Sequence, residues 1–276
     1  MKRRDAEAQR EEPKDGITEL TEGTLLDDSA NSVILSSFTS PRLDGSNDWL
    51  LWQLADSGFP TGGFAHSAGL EAAWQHGEVR NRSELREWLA VSLNQVSRAA
   101  LPFVNAAHAQ PDQLGEFDRL CEAFTSNHVA NRASRLQGRA LLGAAKRIFP
   151  ERALQTASTS NGHHTLKRSE GRIPSPPFAH LAPVFGAVTS SLAIAHDETI
   201  RLFVFIQLRS AIAAAVRLNI VGPMDGQATQ FQLSGQAEAV TQRGIALTLD
   251  DLAQTAPLLD LWQGGQDRLY SRLFQS

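Results

Sequence analysis

The sequence is poor in cysteine and has no strong excess of either charge. Cys121 is the single cysteine among 276 residues, which excludes an internal disulfide and any zinc site built from several cysteines. Lys and Arg number 26 against 30 Asp and Glu, for a net charge of −4. That balance gives no broad basic surface for nucleic acid or an anionic membrane. We therefore expect a cytoplasmic protein that binds neither, with Cys121 as a small core residue.

Long uninterrupted apolar runs are also absent. The most apolar stretch, Leu202 to Val221, is interrupted by polar residues, namely Gln207, Arg209, Arg217 and Asn219, so it predicts a buried helix rather than a membrane span. No stretch shows the sustained alternation of apolar and polar residues that predicts a strand. The sequence therefore predicts an all-α protein.

Two segments are too polar to join a packed core. Residues 1–47 are rich in Ser, Thr and acidic side chains and contain few aromatics, which predicts a disordered acidic N-terminal tail. Residues 156–178 contain His163-His164, Lys167-Arg168 and a Pro-rich run, which predicts a flexible loop. The histidine pair falls short of the three or four ligands of a metal site.

Helical periodicity accounts for most of residues 48–276. Apolar side chains recur three and four positions apart, and Asn81 with Glu84 forms a capping pattern before one such helix. Pro102 should interrupt that helix, and Gly222-Pro223 should end the most apolar one. We predict a single-domain bundle of about eight to ten helices.

One stretch within this domain, Leu54 to Glu71, is shaped by backbone chemistry. It contains four glycines, and we call it the Gly-rich loop. Pro60 fixes its own φ, while Gly62-Gly63 permits positive φ or close approach of another backbone. A loop so strongly specified usually presents a functional surface.

The chemistry of the Gly-rich loop is open to two interpretations. Asp56, Ser57, His66 and Ser67 supply the residue types of a hydrolase triad, which only geometry can identify. The loop lacks the Lys of a phosphate loop and the Gly-x-Ser-x-Gly pattern of a hydrolase elbow. The simpler interpretation is that Asp56 or Ser57 caps a turn and that His66 forms a local hydrogen bond.

The Gly-rich loop also resembles a known signature. Leu54-Ala55-Asp56-Ser57, followed by Pro60-x-Gly62-Gly63-Phe64-x-His66-Ser67-x-Gly69-Leu70-Glu71, is similar to a motif near the start of the UreF family of urease accessory proteins. Later segments resemble the same family in the same order: Arg132-Ala133-Ser134 with Gly138, His180 through Gly186, Ala214 to Leu218, and Ala256 through Phe274.

The resemblance implies a function and partners. Proteins of this family are helical scaffolds that dimerise, bind UreD (also called UreH) and recruit the GTPase UreG. That complex inserts nickel into apo-urease, so the resemblance implies no enzyme activity and no cofactor, with nickel handled transiently. It also implies a set of partner-binding residues in the Gly-rich loop, in one helix and near the C-terminus: Asp56, Pro60, Gly62, Gly63, His66, Glu71, Arg132, Arg135, Arg268, Tyr270, Arg272, Leu273 and Phe274.

Two of these residues suggest a second hypothesis. Arg132 and Arg135 lie three apart on one helical face. Either could enter the site of UreG and stimulate GTP hydrolysis as an arginine finger does. The simpler interpretation is a solvated basic edge.

The C-terminal segment, which we define as residues 268–276, is predicted to dock onto a partner, most simply UreD. Gly264-Gly265 can uncouple it from the preceding helix, and Leu269, Tyr270, Leu273 and Phe274 lie at helical spacing beside two arginines. Such clusters are typical of interface anchors. The alternative is that these residues pack against their own domain as a terminal helix.

Overall fold

The fold is a bundle of helices, as expected. The computed structural model describes residues 48–150 and 175–276, and within them we find helices and no strand. The α-helices are α1 (Asp48–Ala55), α2 (Leu70–Gln75), α3 (Arg82–Ala99), α4 (Leu101–Ala109), α5 (Leu114–Phe124), α6 (His128–Ile148), α7 (Leu181–Ser191), α8 (His196–Arg217), α9 (Pro223–Gln232), α10 (Ser234–Gly244) and α11 (Pro257–Gly265).

The all-α prediction is confirmed. The described residues belong to one compact unit. The predicted N-terminal tail and most of the predicted loop 156–178, including His163-His164, lie outside the described residues.

Local sequence signals fix several helix ends. The Asn81 side chain accepts hydrogen bonds from the backbone N–H of Ser83 and Glu84 at 3.0 and 3.1 Å, so the predicted cap of α3 is confirmed. Asn127 caps α6 in the same way. Pro102 lies in the first turn of α4, where a backbone N–H would have no partner within the helix, so its absence in proline costs no hydrogen bond. Pro102 also separates α4 from α3, as predicted.

The most apolar helix, α8, lies in the core. It is long and apolar enough to cross a membrane by composition, but half of its most apolar window is buried inside the bundle, which fits the predicted core helix. The helix begins one residue before Asp197 and ends at Arg217, short of Val221. Glu198 accepts the backbone N–H of Ala195, at 3.3 Å, because the carboxylate three positions after the cap reaches back to it.

Two mid-helix glycines allow close packing. A Cβ at Gly138 of α6 would overlap the carbonyl oxygen of Ala179, and one at Gly186 of α7 would overlap that of Val104. Any larger residue would push these elements apart. Cys121 is buried in the core as predicted, and burial raises the pKa of its thiol to about 12.

A buried carboxylate joins α5 to the segment that leads into α7. Asp118 is fully buried and accepts backbone hydrogen bonds from Phe178, Ala179 and His180 at 2.7, 3.0 and 2.7 Å. His180 is also fully buried. Three charge-assisted bonds to consecutive N–H groups fix the start of α7.

Candidate functional site

The Gly-rich loop begins where α1 ends. The Asp56 carboxylate accepts the backbone N–H of Gly58 at 2.5 Å, which confirms that Asp56 caps a turn. Phe59 then turns into the core while Pro60 stays exposed. The chain continues through a short 3₁₀ turn at Gly63–Ala65, whose Phe64 side chain is 73% exposed.

The two central glycines of this loop differ. Gly62 has φ 71°, in the left-handed region that favours glycine. Gly63 lies outside that region, and a Cβ there would make only ordinary contacts. The strictest position is Gly69, with φ 89° and room so limited that a Cβ would lie 2.9 Å from the backbone nitrogen of Gln263. The predicted need for glycine therefore applies to Gly62, and more strongly to Gly69.

The end of the chain lies alongside this loop. Gln275 donates its backbone N–H to the carbonyl oxygen of Ala65 at 2.8 Å. Ser67 donates both its backbone N–H, at 2.5 Å, and its hydroxyl, at 3.0 Å, to the backbone oxygen of Ser276. His66 Nδ1 lies 2.7 Å from the Ser276 hydroxyl. The prediction of a local hydrogen bond for His66 is therefore wrong: its partner is 210 residues away in sequence, brought there by folding.

A second buried carboxylate holds this end of the chain. Glu71 is 2% exposed, and it accepts the backbone N–H groups of Leu273 and Phe274 at 2.6 and 3.0 Å. The Gln266 side-chain amide donates to the same carboxylate at 2.6 Å. These three donors satisfy the charge of Glu71 without a cation.

The last aromatic residue of the C-terminal segment completes the protein's own core. Phe274 is 4% exposed, and the Arg217 guanidinium lies 4.3 Å from its ring centroid. Arg217 also donates to the carbonyl oxygen of Phe64, so this charged residue of α8 has both an aromatic ring and a carbonyl oxygen as partners. The prediction that residues 268–276 dock on a partner instead of the core is therefore wrong for Phe274.

The C-terminal segment is also not the terminal helix that its apolar spacing suggested. Residues 269–276 are irregular, because Glu71 and the Gly-rich loop bind the backbone groups that a helix would bond internally. Tyr270 and Leu273 remain 104% and 52% exposed. The segment thus divides into a buried anchor and an exposed pair of apolar side chains.

Arg132 belongs to the same assembly. Its guanidinium forms two hydrogen bonds with the Asp267 carboxylate, at 2.8 and 2.9 Å, and a third to the backbone oxygen of Gln275 at 3.3 Å. Arg272 donates to the same carboxylate at 3.0 Å. The hydrogen bond from Arg132 is the main cause that lowers the pKa of Asp267, and the charge of Arg272 lowers it further. Arg132 is therefore paired with residues near the C-terminus, although its side chain stays 44% exposed.

Arg135 and Arg268 lie apart from these contacts. Arg135 is 3.7 Å from the Glu122 carboxylate and lies over the Phe178 ring at 5.3 Å. Arg268 lines a shallow cavity beside Leu261 of α11. The structure thus joins the loop residues, Arg132 and residues 269–276 into one unit, which we call the loop–tail unit, and leaves Arg135 and Arg268 outside it.

The triad proposed from the Gly-rich loop does not form. In the described part of the chain, no hydrogen bond joins His66 to Ser57, Ser67 or Asp56. Ser67 is 2% exposed, and its hydroxyl is occupied by Ser276. Burial, then the charge of Arg132, lower the pKa of His66, which favours its neutral form in this joint.

A serine–histidine–acid chain exists elsewhere, and sequence reasoning missed it. His180 Nδ1 lies 3.1 Å from the Ser134 hydroxyl, and Nε2 lies 2.7 Å from a Glu122 oxygen. The orientation is opposite to that of a hydrolase, since the acid faces solvent while the imidazole is fully buried and the serine oxygen accepts the N–H of Leu181. This series of hydrogen bonds therefore fixes helix packing, and its members lie too far apart in sequence for a local pattern to indicate it.

Clusters of possible metal ligands are also missing from what the structure describes. Across residues 48–150 and 175–276, no group of three or more His, Cys, Asp or Glu side chains is placed to hold an ion. The protein is all-α, and its loop–tail unit holds exposed side chains on an internally bonded backbone.

Comparison with known proteins gives the family. A family model described as UreF matches residues 79–234. A rice protein (Oryza sativa subsp. indica) named Urease accessory protein F is 39% identical over 228 residues, covering 82% of this chain and 84% of its own length. The Arabidopsis thaliana protein of that name is 34% identical over 256 residues, covering 91% and 99%. Urease accessory protein UreF of Trichodesmium erythraeum is 28% identical over 240 residues, covering 84% and 97%. The chain belongs to the UreF family.

Proposed function

We propose that this chain is a urease accessory protein. It acts as a helical scaffold that bridges UreD/UreH and the GTPase UreG in the complex that inserts nickel into apo-urease. Membership of the UreF family carries this proposal, since similar chains from rice, Arabidopsis thaliana and Trichodesmium erythraeum have urease accessory protein names. We place the complex in the cytoplasm, with this chain as a homodimer that passes nickel on without keeping it and catalyses no reaction.

The loop–tail unit supports a scaffold role. Its backbone is fixed by Glu71, by the pairing of Ala65 with Gln275 and by the Arg132–Asp267 pair. From this fixed backbone, Phe64, Tyr270 and Leu273 project into solvent. Exposed aromatic side chains on a rigid support are typical anchors of protein interfaces, because little conformational freedom is lost on binding.

Co-purification tests the proposal. The chain, co-expressed with UreD and UreG, should form a complex with both, and apo-urease should gain activity only when this chain is present. Failure to bind either protein, together with full urease activation in its absence, would refute the accessory role.

A matched pair of variants tests the surface. Tyr270→Ala should weaken the binding of UreD by roughly thirtyfold, because truncating an interface anchor costs about 2 kcal/mol of binding free energy. Phe231→Ala is the control, because Phe231 is likewise exposed, at 81%, but lies on α9 outside the loop–tail unit. Equal capture by both variants would remove Tyr270 from the interface and leave the accessory role standing.

The arginine-finger hypothesis ranks second. Arg132 would have to leave two hydrogen bonds with Asp267, and Arg135 is only loosely paired with Glu122. A true finger raises the GTPase rate by 10³–10⁵, so UreG turnover should collapse with Arg135→Ala if the hypothesis holds. We expect Arg132→Ala to loosen the C-terminal segment instead.

A further inference from the structure

A groove lies between α3 and α11, away from the buried contacts of the loop–tail unit. Its volume is about 440 Å³. Apolar side chains from both helices and from the turn before α3 line it: Val79, Trp88, Val91, Leu258, Leu259 and Trp262. The groove therefore offers mainly apolar surface of the kind that binding sites use.

The walls of this groove are held in place by polar contacts outside it. Gln95 of α3 accepts the backbone N–H groups of Thr255 and Ala256 at 2.6 and 3.0 Å, which fixes the chain entering α11. Asn127 donates to the carbonyl oxygen of Asp260 at 2.7 Å. The close approach of Gly69 to Gln263 fixes the far end of α11. A groove with fixed walls is already shaped for a ligand.

Much of its apolar lining is open to solvent. Leu258 is 68% exposed and Val91 is 45% exposed. Trp262 is partly buried and packs on the ring of His76, with centroids 5.0 Å apart. Exposed leucine and valine beside half-buried tryptophans make a patch that water solvates poorly, so a partner that covers it gains free energy.

The rim of the groove is acidic. Glu78, Glu84 and Glu87 line it, and the neighbouring cation Arg80 is paired with Glu84 at 3.0 Å. Within the described residues, Glu78 and Glu87 have no ion-pair partner. One cation against three carboxylates leaves a formal charge of −2 beside an apolar surface.

We propose that this groove binds a basic amphipathic helix of a protein partner. The apolar stripe of such a helix would lie between Trp88 and Leu258, with Lys or Arg side chains at its edges facing Glu78 and Glu87. This is the helix-in-groove mode of recognition, in which anchors recur three and four residues apart, and the acidic rim selects for a basic partner. The proposal goes beyond the accessory role and does not depend on it.

A second copy of this chain fits the groove less well. Symmetric pairing places the same patch of both subunits face to face. The unpaired carboxylates of the two rims would then oppose each other, and like charges in contact disfavour association.

Binding of a designed peptide tests the proposal. The probe is a fluorescein-labelled 18-residue helix of Leu and Lys, with Leu at positions that form one face; the controls are a scrambled peptide and a Leu/Glu analogue. Fluorescence anisotropy with the full chain should show that the Leu/Lys peptide binds at least tenfold more tightly than either control. The chain variants are Glu78→Lys/Glu87→Lys and Leu258→Gln, with Glu116→Lys, an exposed change on α5, as the charge control.

Each outcome decides for or against the groove. Binding should weaken about tenfold in Glu78→Lys/Glu87→Lys and severalfold in Leu258→Gln, and stay unchanged in Glu116→Lys. Equal binding to all variants, or to the scrambled peptide, overturns the proposal. Light scattering that shows a dimer of the wild type and a monomer of Leu258→Gln would make a second copy the occupant and overturn it as well. Urease activation is measured in the same variants, and loss of peptide binding with full activation leaves the proposed function intact.

Discussion

Two buried carboxylates perform the same task in different parts of the molecule. Asp118 accepts three consecutive backbone N–H groups from residues 178–180, and Glu71 accepts two from Leu273 and Phe274 together with the Gln266 amide. Each ties a helix to an irregular segment far away in sequence. In both, charge-assisted hydrogen bonds replace the cation that a buried carboxylate otherwise requires.

The segments they hold have different surroundings. Asp118 fixes a segment whose Ala179 and His180 are buried and lead directly into a core helix. Glu71 fixes a segment that leaves Tyr270 and Leu273 in solvent. The same kind of carboxylate anchor thus fixes a mostly buried segment at one site and a partly exposed segment at the other.

The largest loss of stability should come from changing Asp118. Asp118→Asn replaces an acceptor of three hydrogen bonds with an amide that has one oxygen, so buried N–H groups lose their partners. We expect a loss of about 4 kcal/mol in the free energy of unfolding, measured by urea denaturation. Asp112→Asn, on the surface before α5, should be neutral, and an equally small effect at Asp118 would show that water replaces the carboxylate.

The segment held by Asp118 also limits the size of the side chain at position 138 of α6. Gly138→Ala places a methyl group against the carbonyl oxygen of Ala179, and we expect a loss of about 3 kcal/mol, as overpacking against backbone requires. Gly143→Ala on the same helix meets open space and should stabilise it by about 0.5–1 kcal/mol. Thermal unfolding of both variants checks the pair, and equal signs would contradict the contact.

Glu71, which holds the partly exposed C-terminal segment, should contribute less to stability than Asp118 does and should mainly fix the position of that segment. Glu71→Gln should lower the free energy of unfolding by about 2 kcal/mol, because the freed C-terminal segment can enter water instead of leaving its N–H groups buried. Hydrogen exchange should accelerate at residues 273–276, while residues 178–180 stay protected. Glu116→Gln is the control, and uniform loss of protection across the chain would show that Glu71 supports the whole fold.

The sequence carries the signals for helices because those signals are local. Caps such as Asn81 and the break at Pro102 follow from neighbouring residues alone. The acceptors of long-range bonds do not: nothing near Glu71 in sequence indicates that it binds residue 274, and the helical spacing of Leu269 to Phe274 indicated a helix. In the structure, Glu71 and the Gly-rich loop bind that backbone, and this tertiary contact overrides the local pattern.

The smallest effect concerns pH and distinguishes the two anchors by chemistry. His66 joins the Gly-rich loop to Ser276, and burial lowers its pKa below the ordinary 6.5. As pH falls below 6.5, the unfolded chain therefore binds a proton at His66 before the folded chain does, so stability decreases until the lowered pKa is passed. The hydrogen bonds to Asp118 come only from backbone N–H groups, which do not titrate in this range. We expect His66→Gln, which keeps a side chain able to bond Ser276, to flatten the stability profile between pH 7 and 5 relative to wild type.

His108, whose pKa burial also lowers, is present in both proteins and cancels in the difference. A profile for His66→Gln that is parallel to wild type would show that the C-terminal segment leaves His66 before it titrates.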